Sequence, residues 1–459
     1  MSKKLKISAV IVIVVIASVV MLRPQKKENQ MQHQTWARES EETTGLDEDG
    51  ELSTHLPIII LYTKGETIPG QNRSEKEKLS CEYSIIHNED GENCSSDEPV
   101  QSGNALISIR GNSSRKFPKK QYSIKLVDNM GMTVNKPLLD MPADSTWVLN
   151  GSYIDPSQIR NYMLYNLADQ ISLDAPKSRL CEVMMENEEG DLEYQGVYTL
   201  LEKVKVSKNR LKLTKYNPDH VESSFLVQGN PHINDLEVRH LVKTEAFDYQ
   251  FNLEYPAAEK MTQETYDYIQ EDIYTLEKAI FDGAKNGKWT KVYNMIDVDS
   301  FVNYFLINEF FQNYDAGNLS TFMYKNVGGK YTMGPVWDFD GAFDNFINMH
   351  IPVDEIKMRR QFYFSYLMKD PKFADQCIHR YKELRETYLS EEYLQEMIDE
   401  SSEYLGDAAI RNCDKWYDGD YSEYYEDIQK MKEFVTQRGE WMDKNFERKS
   451  TVIDWKENS

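Results

Sequence analysis

"NYDAGNLSTFMYKNVGGKYTMGPVWDFDGAF", residues 313–343, places one carboxylate, Asp315, before two β-prone runs and two more, Asp338 and Asp340, directly after them. The runs flank Val327-Gly328-Gly329-Lys330, where a Gly-Gly pair suits a tight reversal. A hairpin brings its ends together, so Asp315 should neighbour Asp338 and Asp340 although 23 sequence steps separate it from Asp338. Converging carboxylates repel, and they are costly to desolvate unless a cation or shared protons compensate. Hard oxygen donors select magnesium, manganese or calcium over zinc. Alternation along a strand would turn Asp338 and Asp340 to one face and leave Trp337 and Phe339 to pack.

The preceding segment, "FVNYFLINEFFQN" (301–313), is apolar almost all round and reads as a buried helix, a rigid mount for the loop that follows. A helix C-terminus disfavours a carboxylate, so Asp315 does not serve that helix as a cap. Its ordinary role would be to support a turn. Two functional readings follow for the cluster. In one, Asp338 or Asp340 holds magnesium on a nucleotide's phosphates and Asp315 orients or deprotonates an acceptor hydroxyl. In the other, "DFDGAFDN" is a calcium-stabilised loop without catalysis, although its spacing departs from the EF-hand pattern.

Outward from this stretch the chain divides by pattern. From Leu56 the runs "LPIIILYT", "ALISIRG", "QYSIKLV", "TWVLNGS", "RLCEVMME", "YQGVYTLLEKVKV" and "SSFLVQGN" predict strands, with residues 66–104 as a polar insertion. One helix interrupts them at "DPSQIRNYMLYNLADQIS", where Asp155 would cap, Pro156 would take the first turn, and Ile159, Met163, Leu167 and Ile171 recur every fourth residue. After residue 258 the pattern predicts helices over 261–286, 297–312, 354–369, 371–388, 391–412 and 422–445. The fold class is therefore α+β, with a β-rich part at 54–258 and a helical part at 259–459 that carries the hairpin. No internal repeat is present.

A nucleotide-handling site needs cations, and "IRGNSSRKFPKKQYSIKL" (109–126) offers a small polar turn with Arg110, Lys120 and Lys125 around it. Lys125 on a strand either points into a cleft or is solvated along its alternating face. Arg160 is either a phosphate clamp or an ion-pair partner, and Glu202 either meets such a cation or faces water. Each of these signals is weak alone.

Three lysines precede an apolar run, Ile7–Leu22, and Arg23, Lys26 and Lys27 follow it. Sixteen residues span roughly 24 Å as a helix, a tolerable mismatch to a ~30 Å hydrocarbon core. The expectation is a cytoplasmic tail at 1–6, a transmembrane signal anchor at 7–22, a polar tether at 23–53 and an extracytoplasmic domain; secretion after signal cleavage is the alternative. With 76 acidic against 53 basic residues the net charge is −23, which argues against a nucleic-acid partner; it either attracts basic partners or only keeps an exported protein soluble. The five cysteines have no metal spacing; Cys81–Cys94 and Cys377–Cys413 are possible disulfides in an exported chain. Walker, nucleophile-elbow, zincin and dinucleotide-binding motifs are absent.

Taken in order, "IRGNSSRKFPKKQYSIKL", "WVLNGSYIDPSQIRNYMLYNLA", "GVYTLLEKV", "YFLINEFFQNYDAGNLSTFMYK" and "GPVWDFDGAF" resemble the spore-coat protein H (CotH) family of atypical, secreted protein kinase-like proteins, over about 105 to 345. The resemblance implies a divergent two-lobed kinase-like fold with ATP between the lobes and magnesium or manganese near Trp-Asp-Phe-Asp. Asp315 would take the catalytic-loop role, and Asp338 the metal role with Asp340 as a second candidate. Arg110, Lys120, Lys125, Arg160, Glu202 and Trp337 would form the nucleotide-binding set. Ser320 stands where relatives often carry asparagine, and its hydroxyl would ligate metal or hold water. The activity so implied is transfer of the ATP γ-phosphoryl group to Ser or Thr of an extracytoplasmic, spore-coat or cell-surface protein; the acidic charge of the chain suggests a basic, Ser/Lys-rich acceptor. The alternative is a non-catalytic surface or coat-assembly module using the acidic cleft for metal, glycan or a partner protein.

Overall fold

The computed structural model describes residues 45–447 except 49, 73–74, 76, 89–91, 230–240, 244–249 and 347–348. The expected membrane helix at 7–22 lies outside them, and among the described residues no helix is long and apolar enough to cross a membrane. The last part of the expected tether is structured: Gly45–Leu46 pairs with Leu52–Thr54.

Seven strands close into a barrel: β1 (Ile58–Tyr62), β2 (Leu79–Ile86), β3 (Gln101–Arg110), β4 (Gln121–Val127), β5 (Thr146–Asn150), β6 (Ser178–Glu186) and β7 (Leu192–Glu202). Their order is β5-β7-β6-β1-β2-β3-β4, closing through β4–β5, and only β6–β1 is parallel. Alternation decides which side chains go inside. Ile59, Leu61, Tyr83, Ile107, Ile124, Trp147 and Leu200 fill the interior. On β5, β6 and β7 the outward residues Val148, Leu180, Val197 and Leu201 are also apolar, because a helix covers them. The supposed insertion at 66–104 is a correction: it contains β2, whose inward Cys81, Tyr83 and Ile85 are hidden in the sequence by the charges around them.

That covering helix is α1 (Arg160–Gln170). Its apolar residues at every fourth position are buried as expected, but it begins later than predicted, with Ile159 in the cap position. Asp155 serves its start from a distance: its carboxylate accepts from the Arg160 N–H at 3.1 Å. A second sheet runs in the order β9-β10-β8-β11-β12, from β8 (Phe225–Gly229), β9 (Leu241–Lys243), β10 (Gln250–Tyr255), β11 (Thr321–Lys325) and β12 (Tyr331–Met333). The hairpin β11–β12 is thus fastened to a strand from the β-rich part, with Phe225 opposite Lys325 and Gly229 opposite Thr321.

The helical part comprises α2 (Gln263–Asn286), α3 (Thr290–Met295), α4 (Val298–Phe310), α5 (Phe364–Leu367), α6 (Pro371–Arg385), α7 (Glu391–Leu405), α8 (Asp407–Trp416) and α9 (Ser422–Asn445). Thr262, Asp297, Asp370 and Ser390 cap four of these with side-chain oxygens. Helix α4 is buried on every side from Ser300 to Phe310, as its composition requires. Two expected helices are corrected. Segment 354–369 forms a single 3₁₀ turn and α5, because the Glu309 carboxylate holds the Lys357 and Met358 N–H groups at 3.1 and 2.6 Å. The helix at 391–412 breaks at Gly406, whose φ of 50° and ψ of −135° end one helix and begin the next. All five cysteines are free thiols: Cys81 faces the barrel core, whereas Cys94 lies outside it beside Ser53 and Ser96.

Two buried polar contacts lock the halves together. The Arg160 guanidinium, 1% exposed, bridges Asp155 and Asp427 of α9, and its Nε donates to the Ala342 carbonyl at 3.0 Å. Lys119, just before β4, donates from Nζ to Gln158 Oε1 at 2.8 Å and to Asn412 Oδ1 of α8 at 2.7 Å. Gly196 makes the α8 docking possible, since a Cβ there would meet Asn412 Oδ1 at 2.6 Å.

Removing Arg160 alone would strand two buried carboxylates. Arg160→Met should therefore lower the unfolding free energy by about 3–5 kcal/mol in urea melts, and the triple change Asp155→Asn, Arg160→Met, Asp427→Asn should recover much of that loss. Burial pushes the Lys119 amine down to about 7 from its ordinary 10.5, against the pull of Asp155. Between those values the folded chain holds fewer protons than the unfolded one, so this group makes stability rise with pH across that window. The stability of wild type relative to Lys119→Met should accordingly increase between pH 7 and pH 10, read by urea unfolding at each pH.

Candidate functional site

A cleft of about 290 Å³ lies between the barrel, the second sheet and the loop after the hairpin. Its roof is Arg110 and Gln121 at the ends of β3 and β4, one wall is Gln228 and Gly229 of β8 with Asn252 of β10, and its floor is Asp315, Ser320, Trp337, Asp338 and Asp340. The turn Gly111-Asn112-Ser113-Ser114 and the rings of Phe117, Tyr153 and Phe346 complete the rim.

The floor is built from α4 outward. Beyond its last turn the Asn313 N–H bonds the Asn308 carbonyl at 3.0 Å, while Asn313 Nδ2 donates to Asn308 Oδ1 at 3.0 Å and to the Asp338 carbonyl at 3.1 Å. One amide side chain thus joins the helix end to the far side of the hairpin. The Asp315 carbonyl accepts from Asn318 and Leu319 N–H groups at 3.0 and 2.8 Å, which makes its loop a tight turn. Gly317, at φ +86°, is needed there, because a Cβ would press on Gln361 at 2.6 Å.

Asp338 does not continue a strand: β12 ends at Met333, and Asp338 has φ +67°. The expectation that strand alternation presents Asp338 and Asp340 together is therefore corrected. Both line the cleft, but a left-handed backbone turn delivers them. It is held by Tyr165 Oη, which accepts from the Asp338 N–H at 3.1 Å, and by Asn161 Oδ1, which accepts from the Phe339 N–H at 2.7 Å. Ser320 Oγ donates to Asp338 Oδ2 at 3.0 Å, and Ser152 Oγ donates to Asp340 Oδ1 at 3.1 Å, beside the Asn161 amide. Arg110 lies 5.4 Å from the Trp337 ring and donates to Gln121 at 3.1 Å.

The electrostatics follow from this packing. Burial and then the Asp338 charge push the Asp315 carboxyl up to about 7, with Lys357 acting against them. Burial raises Asp338 as well, opposed by the Ser320 hydrogen bond and by Arg110. Asp340 is driven well up by burial and by Asp338. Carboxyls raised in this way would be returned to their ionised form by a nearby cation. Among the described residues no three His, Cys, Asp or Glu side chains stand close enough to enclose a metal by themselves. The donors, two carboxylates and a hydroxyl, fit a magnesium or manganese ion whose remaining positions go to water and phosphate oxygens. They suit a fully protein-coordinated calcium poorly, since that ion takes six to eight oxygens.

Of the residues singled out in the sequence, Arg110, Asp315, Ser320, Trp337, Asp338 and Asp340 meet in this cleft. Four stand elsewhere. Lys120 Nζ donates to the Arg115 carbonyl at 2.8 Å. Lys125 is half-buried on the outward face of β4, in the field of Lys78. Arg160 is consumed by Asp155 and Asp427, and Glu202 pairs with Arg210 at 2.8 Å beside a second cavity.

Other groups at the site were not foreseen. Asn161 and Tyr165 occupy positions four apart on α1, a spacing passed over because the apolar face of Ile159, Met163, Leu167 and Ile171 defined the helix. Lys357 has Nζ 3.6 Å over the Tyr314 ring, and its amine is pushed down to about 8 by burial despite the surrounding carboxylates Glu355, Glu309 and Asp315. It comes from the segment that was misread as a helix.

A family model described as CotH kinase protein matches residues 107–442, a span that holds every residue of the cleft named above. No curated protein matches the chain. On the strength of a match that covers well over half of its length, the chain belongs to the CotH family.

Proposed function

We propose that this chain is a metal-dependent protein kinase, transferring the ATP γ-phosphoryl group to a Ser or Thr hydroxyl, with the barrel and the helical part acting as the two lobes of a divergent kinase-like fold. The observation that carries this reading is the approach of Asp315 and Asp338 from opposite ends of one hairpin beneath Arg110 in a single cleft. The family description and the hard-oxygen donor set support it.

In this reading Asp338 would hold magnesium or manganese, with Ser320 Oγ and Asp340 beside it, and the ion would neutralise charge on the β- and γ-phosphates. Arg110 places a guanidinium by the Trp337 ring, in the field of Asp338 and Asp340, and would meet phosphate oxygens as a planar fork. Asp315 orients the acceptor hydroxyl and takes its proton. A carboxyl raised to about 7 is a better proton acceptor near neutral pH than an ordinary one. Tyr165, Asn161 and Asn313 keep the turn in place, so the geometry exists before substrate arrives. The net charge of −23 favours a basic acceptor segment. The apolar run at 7–22 would hold the domain at the outer membrane surface.

One observation favours the alternative of a glycan- or partner-binding module. Phe117 and Tyr153 stack at 5.5 Å on the cleft rim, and Tyr153 stacks on Tyr417 at 5.6 Å, a platform of the kind that sugars or peptide rings use. The kinase reading accommodates this platform, whereas a pure binding module leaves the clustered acids unexplained.

With γ-labelled ATP and manganese, the full chain should label a Ser/Lys-rich peptide or itself, and Asp315→Ala should lower the rate about 10²–10⁴-fold. Unchanged labelling by Asp315→Ala would exclude it as the base. Magnesium or manganese added with ATP should raise the melting temperature of wild type by mass action and leave that of Asp338→Ala unmoved. Equal shifts in both proteins would place the ion elsewhere.

A further inference from the structure

A second cavity, of about 320 Å³, is lined in part by the start of the loop that carries Asp338. It is bounded by the chain leaving β7 (203–212), by Asp174–Lys177 and by Pro335. Five basic residues line it, Lys177, Lys203, Lys205, Arg210 and Lys212, against two acids, Asp174 and Glu202. In a chain with 23 more acidic than basic residues this local excess is opposite in sign to the whole.

The acids are already engaged. Asp174 accepts from the Tyr324 hydroxyl at 2.6 Å, and Glu202 accepts from the Lys177 N–H at 3.1 Å and stands 2.8 Å from Arg210 Nη1. Lys205 is paired with Asp144 at 2.8 Å. Lys177, Lys203 and Lys212 form no ion pair with a described residue, although Lys203 lies in the field of Glu254. Arg210 is the more telling group. Its side chain is 3% exposed and packs 4.7 Å from the Trp147 ring, and among the described residues its Nε and Nη2 have no hydrogen-bond acceptor. Buried donors without acceptors are uncommon, and an unmet guanidinium edge suits an oxyanion.

We infer that this cavity is a second ligand site that takes a phosphoryl group, either as a free oxyanion or as the phosphate of a phosphorylated Ser or Thr side chain. An excess of three positive charges among its lining residues favours a dianion over a single carboxylate. Its volume lies at the small end of the ~300–1,000 Å³ range of ligand pockets, which suits one phosphate or phosphorylated side chain better than a nucleotide. The site adjoins the loop that carries Asp338: the Val336 N–H donates to the Asp174 carbonyl at 2.8 Å, and Pro335 lines the cavity three residues before Asp338. A bound phosphate would brace that segment. The inference stands whether or not the first cleft transfers phosphate.

Calorimetric titration of the full chain with inorganic phosphate, with a phosphoserine peptide and with its unphosphorylated twin tests the inference. Three proteins are compared: wild type, Lys203→Glu with Lys212→Glu, and Arg110→Ala. Both lysines are exposed, so the double variant should fold, which its melting curve checks. Phosphate or phosphopeptide should bind wild type and Arg110→Ala alike, weaken with added salt, and bind the double variant about tenfold or more less tightly. Tighter binding of the phosphopeptide than of inorganic phosphate would assign the site to phosphorylated protein, and equal binding would assign it to small oxyanions. Binding lost in Arg110→Ala but kept in the double variant, or no binding up to tens of millimolar, would overturn the inference.

Discussion

The buried charge of Arg160 sets the register between the β-rich and helical parts. Its guanidinium satisfies Asp155 at the entrance to α1 and Asp427 on α9, and its Nε fixes the Ala342 carbonyl at the end of the aspartate-bearing loop. Three segments far apart in sequence are thereby held to one buried charge. A buried ion triad seldom adds much net stability over apolar packing, but it penalises any arrangement that leaves one member unmet. The cleft depends on this register, because Asn161 and Tyr165, which hold Asp338 and Asp340 in place, sit on the helix that Arg160 begins.

The floor of the cleft is electrostatically expensive. Asp315, Asp338 and Asp340 are all raised by burial, and Asp338 raises the other two further. Asp338 also sits at φ +67°, a conformation a non-glycine residue seldom adopts. Such tension persists only where the surroundings over-determine it, and it is concentrated at sites that bind or react. Here α4, buried on every side, and the hairpin stitched to β8 provide the rigidity.

Much of this was legible in the sequence, for physical reasons that can be named. An apolar helix followed by a small-residue loop, a Gly-Gly reversal and Trp-Asp-Phe-Asp fixed the meeting of Asp315 with Asp338, because a hairpin leaves its ends no other place. Strand β2 was lost because its alternating core positions lie between runs of Glu and Lys that read as surface. Arg160 and Glu202 were singled out as charges, yet a sequence cannot show whether a charge faces a ligand or a buried partner. Asp427, the partner of Arg160, lies 267 positions away. Lys357 was missed because its segment has helical periodicity, and only the contact with Glu309 shows why it does not become a helix.

The proposed kinase function requires this cleft to hold a metal-bound triphosphate between Asp338 and Arg110 with its terminal phosphate toward Asp315. A crystal structure with manganese and a non-hydrolysable ATP analogue, located by the anomalous signal of the metal, tests it most directly. The account predicts manganese coordinated by the Asp338 carboxylate and phosphate oxygens, with Arg110 on the same phosphates. Manganese bound without nucleotide, or a nucleotide whose phosphates point away from Asp315, would contradict it.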